Sequence, residues 1–300
     1  MKQLDLQKSV ETFAIFDVAL LFLALIGLVL LVIGFILNIA WIVIAMIICE
    51  FILIYAIFIE PNRISVTTYR HAIGEATDAW IKIVFIADPH AGPIKSQAWY
   101  DKLSANLNII SPDLLLIGGD MVVHHAEHIG KLKSLADIQT IYGKFFILGN
   151  HDYQDDPARI TAEMQKMGFH HLGNTNLSLR IQGKELRISG CDDCFYGKNH
   201  PINRIDHKAP HITLAHEPDA LADISEGDTD LVLCGHAHGG QIRFPIIGSL
   251  HVPSNFGRKA DMGKKIIKGI PTIITRGLGE VGIRARLLAP PEIVIIELGI

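Results

Sequence analysis

Cysteine is scarce in this chain, with 4 among 300 residues. Cys49 lies in an apolar run and Cys234 in an apolar strand-like segment, so Cys191 and Cys194 form the only closely spaced pair. One Cys-x-x-Cys pair without a second pair does not make a structural zinc site, and no thioredoxin-like pattern surrounds it. The sequence therefore offers no thiolate metal site, and a reduced cytoplasmic loop is the favoured interpretation of Cys191 and Cys194.

An excess of positive charge is also missing. Lysine and arginine number 27 against 31 aspartate and glutamate, which gives a net charge of −4, and the chain has no basic patch of the nucleic-acid-binding kind. Internal repeats and low-complexity tracts are absent as well. These absences argue against a nucleic-acid-binding protein and a repeat protein, and no motif indicates a protein partner.

The chain does have a long apolar stretch near its N-terminus, and the mean hydropathy of the whole sequence is +0.32. The stretch runs from Phe13 to Ile59, and three polar residues interrupt it: Asp17, Asn38 and Glu50. At about 1.5 Å per residue, segments 13–37 and 39–59 are each long enough to cross a hydrocarbon core of about 30 Å. The sequence predicts two transmembrane helices in a membrane anchor that comprises residues 1–61.

The flanks of this predicted hairpin indicate its orientation. Asn38 is the expected tip, and Pro61 ends the second helix because proline cannot continue the hydrogen-bond ladder. Both ends then lie on one side, which carries Lys2, Lys8, Arg63 and Arg70. The positive-inside bias puts that side, with everything after Pro61, in the cytoplasm. A cleaved signal peptide is the alternative, but the run is longer than a usual signal core and no A-x-A site follows.

Glu50 is predicted to lie near the middle of the bilayer, where a carboxylate is costly. It is either a functional group or a protonated carboxyl at a contact between the two helices, beside Gly27. The cost of a charge at that depth favours the second interpretation.

After Trp80, short apolar runs alternate with amphipathic stretches. Continuous apolar runs that end in polar clusters are typical of strands buried on both faces. They comprise residues 81–87, 114–117, 145–148, 212–215 and 231–234, with further strands at 177–181, 186–189, 270–275 and 292–298, and helical spacing at 97–110, 128–141 and 158–167. The predicted fold class is α/β, with two sheets packed face to face and helices outside. Residues 62–79 are predicted to be a linker and residues 80–300 a catalytic domain.

Polar fragments follow five of these strands at the point where each strand ends. They are Asp88-Pro89-His90, Gly119-Asp120, Gly149-Asn150-His151-Asp152, His216 and Gly235-His236-Ala237-His238. Ligand sites in open α/β sheets gather outside the carboxyl ends of the strands. The sequence therefore predicts that these fragments form one site.

The side chains of this predicted site suit a pair of metal ions. Carboxylates and imidazoles without thiolates favour Mn²⁺, Fe or Zn²⁺. Asp120 can bridge two ions about 3.5–4 Å apart, and such a pair lowers the pKa of a shared water to give hydroxide near neutral pH. Glycines before Asp120, Asn150 and His236 are expected to let the backbone turn and to leave room for a phosphate. The predicted reaction is in-line attack of hydroxide on phosphorus.

These fragments, D-x-H, G-D, G-N-H-D, a lone histidine and G-H-x-H, resemble the motifs of the calcineurin-like metallophosphoesterase family. The resemblance implies that one ion is held by Asp88, His90, Asp120 and His238, and the other by Asp120, Asn150, His216 and His236. It also implies that His151 protonates the leaving group or stabilises the transition state, and that Asp152 orients it. A catalytically retired, membrane-tethered binding module with the same fold is the alternative. The complete ligand set and the presence of His151 favour the enzyme.

A narrower likeness to the membrane-associated bacterial subgroup of the family lies in three motifs, at residues 239–243, 276–279 and 291–293. It implies a two-pass protein of a bacterial inner membrane. The implied substrate is a phosphodiester or pyrophosphate, lipid-linked as in a phospholipid-type diester or UDP-2,3-diacylglucosamine, and a soluble phosphodiester is the alternative. Cys191 and Cys194 depart from this pattern, since the corresponding loop in relatives is usually free of cysteine.

Arginines near these motifs are candidates for binding the phosphate, because a guanidinium matches phosphate oxygens bidentately. Arg243 and Arg276 are the two predicted substrate contacts, and Arg284 and Arg286 are further candidates. An ordinary surface arginine is the alternative for each of the four.

Overall fold

The computed structural model of the chain describes residues 2–74, 79–197 and 209–300, with side chains from residue 17 onward. Two apolar helices come first and form the predicted hairpin. Helix α1 covers Lys2–Ile36 and α2 covers Ala40–Ile54, and α2 continues as a π-helical turn, Tyr55–Ile59, and a 3-10 turn, Glu60–Asn62. Asn38 lies at the tip with a φ of 52°. The stretches Asp17–Ile36 and Ala40–Asn62 are long and apolar enough to cross a membrane.

The two helices approach each other closely at glycines. A Cβ atom added to Gly27 would lie 2.0 Å from Oε1 of Glu50, so glycine leaves the space that this carboxyl group occupies. A Cβ atom at Gly34 would lie 3.1 Å from Cγ2 of Ile42. Small residues at such positions let two helix backbones pack tightly, and the predicted contact between Glu50 and Gly27 is present.

An α/β domain follows the hairpin. Its strands are Ser65–Ala72 (β1), Trp80–Ile86 (β2), Leu114–Gly118 (β3), Lys144–Ile147 (β4), His170–His171 (β5), Thr175–Ile181 (β6), Lys184–Gly190 (β7), His211–Ala215 (β8), Leu231–Cys234 (β9), Arg243–Phe244 (β10), Gly248–Ser249 (β11), Gly263–Ile267 (β12), Ile270–Ile274 (β13) and Glu292–Gly299 (β14). Its α-helices are Gln97–Ile110 (α3), Asn150–Gln154 (α4) and Pro157–Lys166 (α5), and 3-10 segments cover Ala126–Asp137, Pro218–Ala222, His238–Gly240 and Gly257–Ala260.

These strands form two six-stranded sheets and one short ribbon. The first sheet has the order β1-β14-β2-β3-β4-β5, in which β2 to β5 are parallel and β14 is antiparallel to β2. The second has the order β12-β13-β9-β8-β7-β6, with a parallel centre and an antiparallel hairpin at each edge. Strands β10 and β11 pair separately. The parallel strands of each sheet bring the polar segments that follow them to a common edge.

The sheets pack face to face, and helices cover the outer face of the first sheet. Ile83 and Phe85 of β2 belong to the apolar layer between the sheets, whereas Val84 and Ile86 belong to the layer beneath α3 and α5. Successive side chains of a strand point to opposite faces, so a strand buried on both faces is apolar at every position. This explains the continuous apolar runs in the sequence, and the predicted two-sheet α/β fold is confirmed.

A third apolar cluster lies on the other face of the second sheet and includes Cys191 and Cys234. All four cysteines lie among the described residues and carry free thiols. Burial raises the pKa of Cys191 to about 12, so this thiol stays protonated at neutral pH.

Two segments differ from the sequence prediction. The predicted linker, 62–79, contains edge strand β1, which pairs in parallel with β14; residues 75–78 of it lie outside the described part of the chain. The predicted helix at 128–141 is instead the 3-10 segment Ala126–Asp137. Its buried residues, Ala126, Ile129, Leu132 and Leu135, are spaced by three, which matches the three residues per turn of a 3-10 helix.

Candidate metal centre

The five polar fragments meet at one edge of the two sheets. Asp88 and His90 follow β2, Asp120 follows β3, Asn150 and His151 begin α4 after β4, His216 follows β8, and His236 and His238 follow β9. Three groups of side chains bring their ligand atoms within 4.8 Å of one another: Asp88 with His90 and His238, His90 with Asp120 and His151, and Asp120 with His216 and His236. His90 and Asp120 each belong to two of the groups, and Asp120 joins the group of His90 to the group of His216 and His236.

The contacts of Asp120 show this central position directly. Its Oδ2 lies 3.2 Å from Nε2 of His216 and 3.6 Å from Nε2 of His90. Its Oδ1 accepts a hydrogen bond of 2.9 Å from the backbone N–H of His151. Oδ1 of Asn150 lies 3.2 Å from the same Nε2 of His216. One carboxylate therefore faces both sets of imidazoles, as expected of a bridging ligand.

His216 has a defined orientation. Its Nδ1 lies 2.7 Å from the carbonyl oxygen of Gly118, to which it donates a proton, so Nε2 is the atom that faces Asp120 and Asn150. A hydrogen bond of this kind fixes the tautomer and the ring orientation of metal-binding histidines. Burial disfavours the charged imidazole, but the carboxylates of Asp120, Glu217 and Asp88 outweigh it and raise the pKa of His216. In the charged imidazole Nε2 carries a proton, and a bound metal cation would replace this proton.

His90 and His238 provide the clearest test of whether a cation fits. Their rings are stacked, and their Nε2 atoms lie 3.1 Å apart in a fully buried environment. Burial lowers the pKa of His90 to about 3 and holds that of His238 well below its usual range, so both rings are neutral and offer lone pairs. Nδ1 of His90 has no hydrogen-bond partner among the described residues. Two neutral nitrogens that converge beside Asp88 form a donor set suited to a borderline metal ion such as Zn²⁺, Mn²⁺ or Fe.

The pKa values of Asp88 and Asp120 are shifted in opposite directions, although both carboxylates are buried in the same cluster. Burial raises the pKa of Asp88 to about 7, although the backbone N–H of His236 donates to it at 3.0 Å. Burial also acts to raise the pKa of Asp120, but His216, His151 and His90 hold it well below its usual range. Titratable groups with strongly shifted pKa values in one cluster are typical of functional sites.

Five of the candidate ligands have a left-handed backbone. The φ angles are 54° for Asp88, 44° for His90, 56° for Asp120, 63° for His236 and 49° for His238. Such a conformation costs about 1–3 kcal/mol at a residue other than glycine, and it persists where surrounding contacts hold it. The N–H of Asp88 donates to Gly119 O at 3.0 Å, and that of His90 to Asp120 O at 3.1 Å. Strain concentrated on the ligands indicates a pre-organised site.

The glycines before the ligands agree with one part of the prediction, because Gly119 turns the backbone with a φ of 97°, but the space beside them is not open. A Cβ atom would lie 2.6 Å from Nδ1 of His216 at Gly119, 2.3 Å from Oδ1 of Asp120 at Gly149, and 2.8 Å from Oδ2 of Asp88 at Gly235. The space that was expected to admit a phosphate is occupied by the ligands themselves. These glycines therefore allow the side chains of the site to converge.

Gly119→Ala is expected to lose bound metal, because the new methyl group would displace His216. Gly183→Ala is the matched control: Gly183, at the β6–β7 turn, has a φ of 89° against 97° for Gly119, but nothing lies within 4 Å of its Cβ position. Both variants carry left-handed strain of about 1–2 kcal/mol. Metal content measured by mass spectrometry should fall only for Gly119→Ala, and equal metal content in the two proteins would contradict this role.

His151 and Asp152 occupy different environments. The ring of His151 is half-buried and lies edge-on to His90 at a centroid distance of 5.0 Å. Asp152 is fully buried, and its carboxylate accepts from the backbone N–H of Gly149 at 3.1 Å and of Val122 at 3.2 Å. Asp152 thus ties the loop of Asn150 to the loop of Asp120. The bonds recorded for Asp152 in the described part of the chain go to backbone N–H groups, so its orienting effect on His151 stays a prediction that would act through this backbone.

The arginines have unequal surroundings. Arg243 donates to Asp261 at 2.8 Å, Arg276 donates to Glu292 at 2.8 Å, and neither lines the cleft at the ligands. Arg286 is fully buried and donates to the carbonyl oxygens of Ala289 and Arg276. Phosphate contact by Arg243 and Arg276 stays a prediction that these internal ion pairs do not favour. Arg284 is 42% exposed and borders a different cavity.

The sequence patterns did not identify the walls of the cleft. A cleft of about 540 Å³ opens over Asp120, His151, His236 and His238, and its walls are Ile242, Leu250, Val281 and Ile283. Gln241 holds one wall, because its side chain accepts from the N–H of Val281 at 2.9 Å and donates to the carbonyl of Ile283 at 2.6 Å. Gln241 belongs to the motif at residues 239–243, and this motif was the sequence signal that pointed to a wall of the cleft.

Two facing sheets with carboxylates and imidazoles at the strand ends define a metal-dependent hydrolase of phosphate esters. Residues 81–240 match the calcineurin-like phosphoesterase family, and the chain belongs to this family. It is similar to the uncharacterized metallophosphoesterase YkuE of Bacillus subtilis (strain 168), with 28% identity over 81% of this chain and 88% of the relative. It is also similar to phosphodiesterase YaeI of Escherichia coli (strain K12), with 27% identity over 81% and 92% of the two chains.

A third relative, the uncharacterized metallophosphoesterase Cj0846 of Campylobacter jejuni, is 31% identical over 73% of this chain and 59% of its own length. The chain therefore spans about three fifths of that relative. The predicted membership of the family and the predicted class of enzyme, a metal-dependent phosphoester hydrolase, are confirmed.

Proposed function

We propose that the protein is a membrane-anchored phosphodiesterase that hydrolyses a phosphodiester or pyrophosphate bond of an amphiphilic, lipid-linked substrate. The single observation that carries the choice of substrate is the cleft over the candidate ligands. Ile242, Leu250, Val281 and Ile283 give it apolar walls directly beside His151 and His236. A pocket with apolar walls and few polar groups suits an apolar ligand portion next to a reactive polar one.

In this proposal the candidate ligands hold two divalent ions, of Mn, Fe or Zn. Asp88, His90, Asp120 and His238 hold one, and Asp120, Asn150, His216 and His236 hold the other. Two groups of converging ligand atoms support this division: Asp88 with His90 and His238, and Asp120 with His216 and His236. Asp120 also converges with His90 of the first group. When bound, such a pair supplies hydroxide near neutral pH and clamps the phosphoryl oxygens. Most of the ligands are buried and several have a left-handed backbone, which supports a rigid site beneath the cleft.

His151 is the proposed acid for the leaving group. It lies at the rim of the cluster, half-buried and in the lining of the cleft, where a substrate oxygen has access to the ring. Its backbone N–H bond to Asp120 and the loop contacts of Asp152 hold it beside the ligands. General acids of this kind must lie within reach of the leaving oxygen, and a rim position meets this requirement.

Membrane anchoring is supported by the way in which the hairpin joins the domain. The N–H of Arg286 donates to Ala56 O at 2.8 Å, the N–H of Ala289 donates to Oε1 of Glu60 at 2.6 Å, and Nζ of Lys95 donates to Pro61 O at 2.5 Å. The end of α2 is therefore bonded to Arg286 and Ala289, which follow the wall residues Val281 and Ile283 closely along the chain. In a cell this arrangement would hold the cleft beside a bacterial inner membrane, on the cytoplasmic side that the positive-inside bias favours.

A phosphoester panel with each divalent metal tests the proposal. Full-length protein in vesicles should hydrolyse a soluble diester such as bis(p-nitrophenyl) phosphate after addition of Mn²⁺ and lose this activity on chelation. A lipid diester or UDP-2,3-diacylglucosamine in the same vesicles should be hydrolysed with the higher kcat/KM. The test uses the full-length protein with its hairpin, because Ala56 and Glu60 of the hairpin are hydrogen-bonded to the domain. Turnover of soluble diesters alone would refute the lipid substrate, and no turnover of any ester would refute the enzyme.

A further inference from the structure

A crevice of about 520 Å³ separates the hairpin from the domain. Leu21 and Ala24 of α1 and Leu53 and Ile57 of α2 line one side, and Lys95 and Arg284 line the other. Asp17, at the end of the first apolar span, also borders it. Ala24 lies seven residues further along α1, which places it about 10 Å deeper at 1.5 Å per residue. The crevice thus runs from the head-group level into the hydrocarbon region, and the occupant that fits both levels is a lipid.

Arg284 lies at the polar end of this crevice. Its Nε forms an ion pair with Oδ2 of Asp17 at 3.2 Å. Neither terminal nitrogen of its guanidinium makes a hydrogen bond to any residue that the structure describes, and the side chain is 42% exposed. Lys95 differs, because Glu280 at 2.9 Å and the carbonyl of Pro61 occupy its ammonium group. Arg284 is therefore the cation with donors left to bind an anion, and a guanidinium matches two phosphate oxygens.

The crevice and the metal cleft share a wall. Glu280 and Arg284 line the crevice, whereas the residues between them, Val281, Gly282 and Ile283, line the cleft. Lys95 holds Glu280 on one side, and Gln241 holds Val281 and Ile283 on the other. A segment of five residues thus separates the bilayer side from the candidate metal ligands, and Arg284 stands at its end.

We propose that the crevice binds an acyl chain of a phospholipid whose phosphate is held by Arg284, so that lipid passes from the bilayer to the metal cleft across the segment 280–284. The proposal rests on the membrane anchoring and the lipid-linked substrate proposed above. It assigns lipid binding to a place that is separate from the ligand cluster and can be tested without turnover.

Photolabelling in lipid nanodiscs tests the acyl-chain site. Full-length protein with Asp120→Ala, which removes turnover, is placed in phosphatidylcholine nanodiscs with phosphatidic acid that carries a diazirine on one acyl chain. Labelled residues, mapped by mass spectrometry, should concentrate at Leu21, Ala24, Leu53 and Ile57. Ala24→Trp or Leu53→Trp should abolish most of this labelling, because the indole fills the crevice. Unchanged elution and melting temperature in detergent show that these variants are folded.

Val29→Trp is the matched control for the filled crevice. Val29 is on the same helix, is 50% exposed and does not line the crevice, so labelling should persist. Labels spread evenly over the exposed faces of both helices, or labels at the crevice that Ala24→Trp leaves unchanged, would overturn the acyl-chain site.

Competition by unlabelled phosphatidic acid tests the phosphate contact. Arg284→Gln should weaken this competition about tenfold, which corresponds to about 1.4 kcal/mol, because charge-assisted hydrogen bonds to the phosphate are lost. Asp17→Asn is the matched control, because it removes the same ion pair and keeps the guanidinium, so competition should persist. The phosphate contact would be overturned if competition weakened equally in both variants, or if it did not weaken in Arg284→Gln. A labelled crevice without lipid hydrolysis by wild-type protein would refute the proposed substrate alone.

Discussion

Asp120→Ala is expected to abolish metal-dependent hydrolysis, with a fall in kcat/KM of about 10³-fold or more. Among the described residues, Asp120 makes the closest carboxylate contacts with both histidine pairs, 3.2 Å with His216 and 3.6 Å with His90, whereas Asp88 lies 4.0 Å from His216 and 3.9 Å from His238. Loss of this carboxylate would therefore weaken the binding of both proposed ions at once. Lewis-acid stabilisation by bound metal is worth several kcal/mol, and each 1.36 kcal/mol is tenfold in rate.

Asp120→Asn separates charge from shape in this experiment. The asparagine keeps an oxygen that can accept from the N–H of His151, but it loses the negative charge that two cations require. Its metal content should fall nearly as far as that of Asp120→Ala. Asp101→Asn, on the exposed face of α3, is the matched control and should keep full metal content and rate. A bound pair of ions in Asp120→Ala would rule out the bridging role.

His151→Ala is expected to lower kcat about 10²–10⁴-fold on a substrate with a poor leaving group, which is the usual contribution of a general acid. The loss should be much smaller for p-nitrophenyl esters, because p-nitrophenolate departs without a proton. Rates measured on an alkyl and an aryl diester give the comparison directly. A second role, that of a metal ligand, also fits the distances, because the ligand atoms of His151, His90 and Asp120 lie close together.

Metal content distinguishes the two roles of His151. An acid is not a ligand, so His151→Ala should keep both ions in mass spectrometry. His170→Ala, at an exposed position on β5 outside the cleft, controls for the loss of an imidazole and should behave as wild type. Loss of one ion together with equal rate losses on both diesters would assign His151 to the metal and remove it from acid catalysis.

Many elements could be predicted from the sequence because their signal is local. The segments 83–87 and 114–117 are apolar at every position since both faces of their strands are buried, one against helices and one against the other sheet. Polar residues directly after such strands must lie at a sheet edge, so the convergence of Asp88, Asp120 and His216 was predictable. Strand β1 was not, because an edge strand with alternating burial and polar residues resembles a linker.

Other features depend on contacts between distant parts of the chain. The apolar walls of the cleft come from Ile242, Leu250 and Ile283, which share no sequence pattern, and Gln241 joins two of these segments by hydrogen bonds. Arg276 and Arg284 both suited a phosphate contact by residue type. Arg276 forms an ion pair with Glu292, 16 residues away along the chain. Arg284 pairs with Asp17 of α1 and keeps donors exposed.

The sequence by itself determined the class of fold, the hairpin and the set of candidate ligands around Asp120. Residue type, spacing and the burial of short runs carry that information along the chain. Only the tertiary structure decided the left-handed backbone of the ligands, the use of the glycines, the apolar cleft and the crevice beside Arg284. Each of these depends on which surfaces pack together. Contacts between residues far apart along the chain settle this packing, such as that of Arg284 with Asp17, 267 positions away.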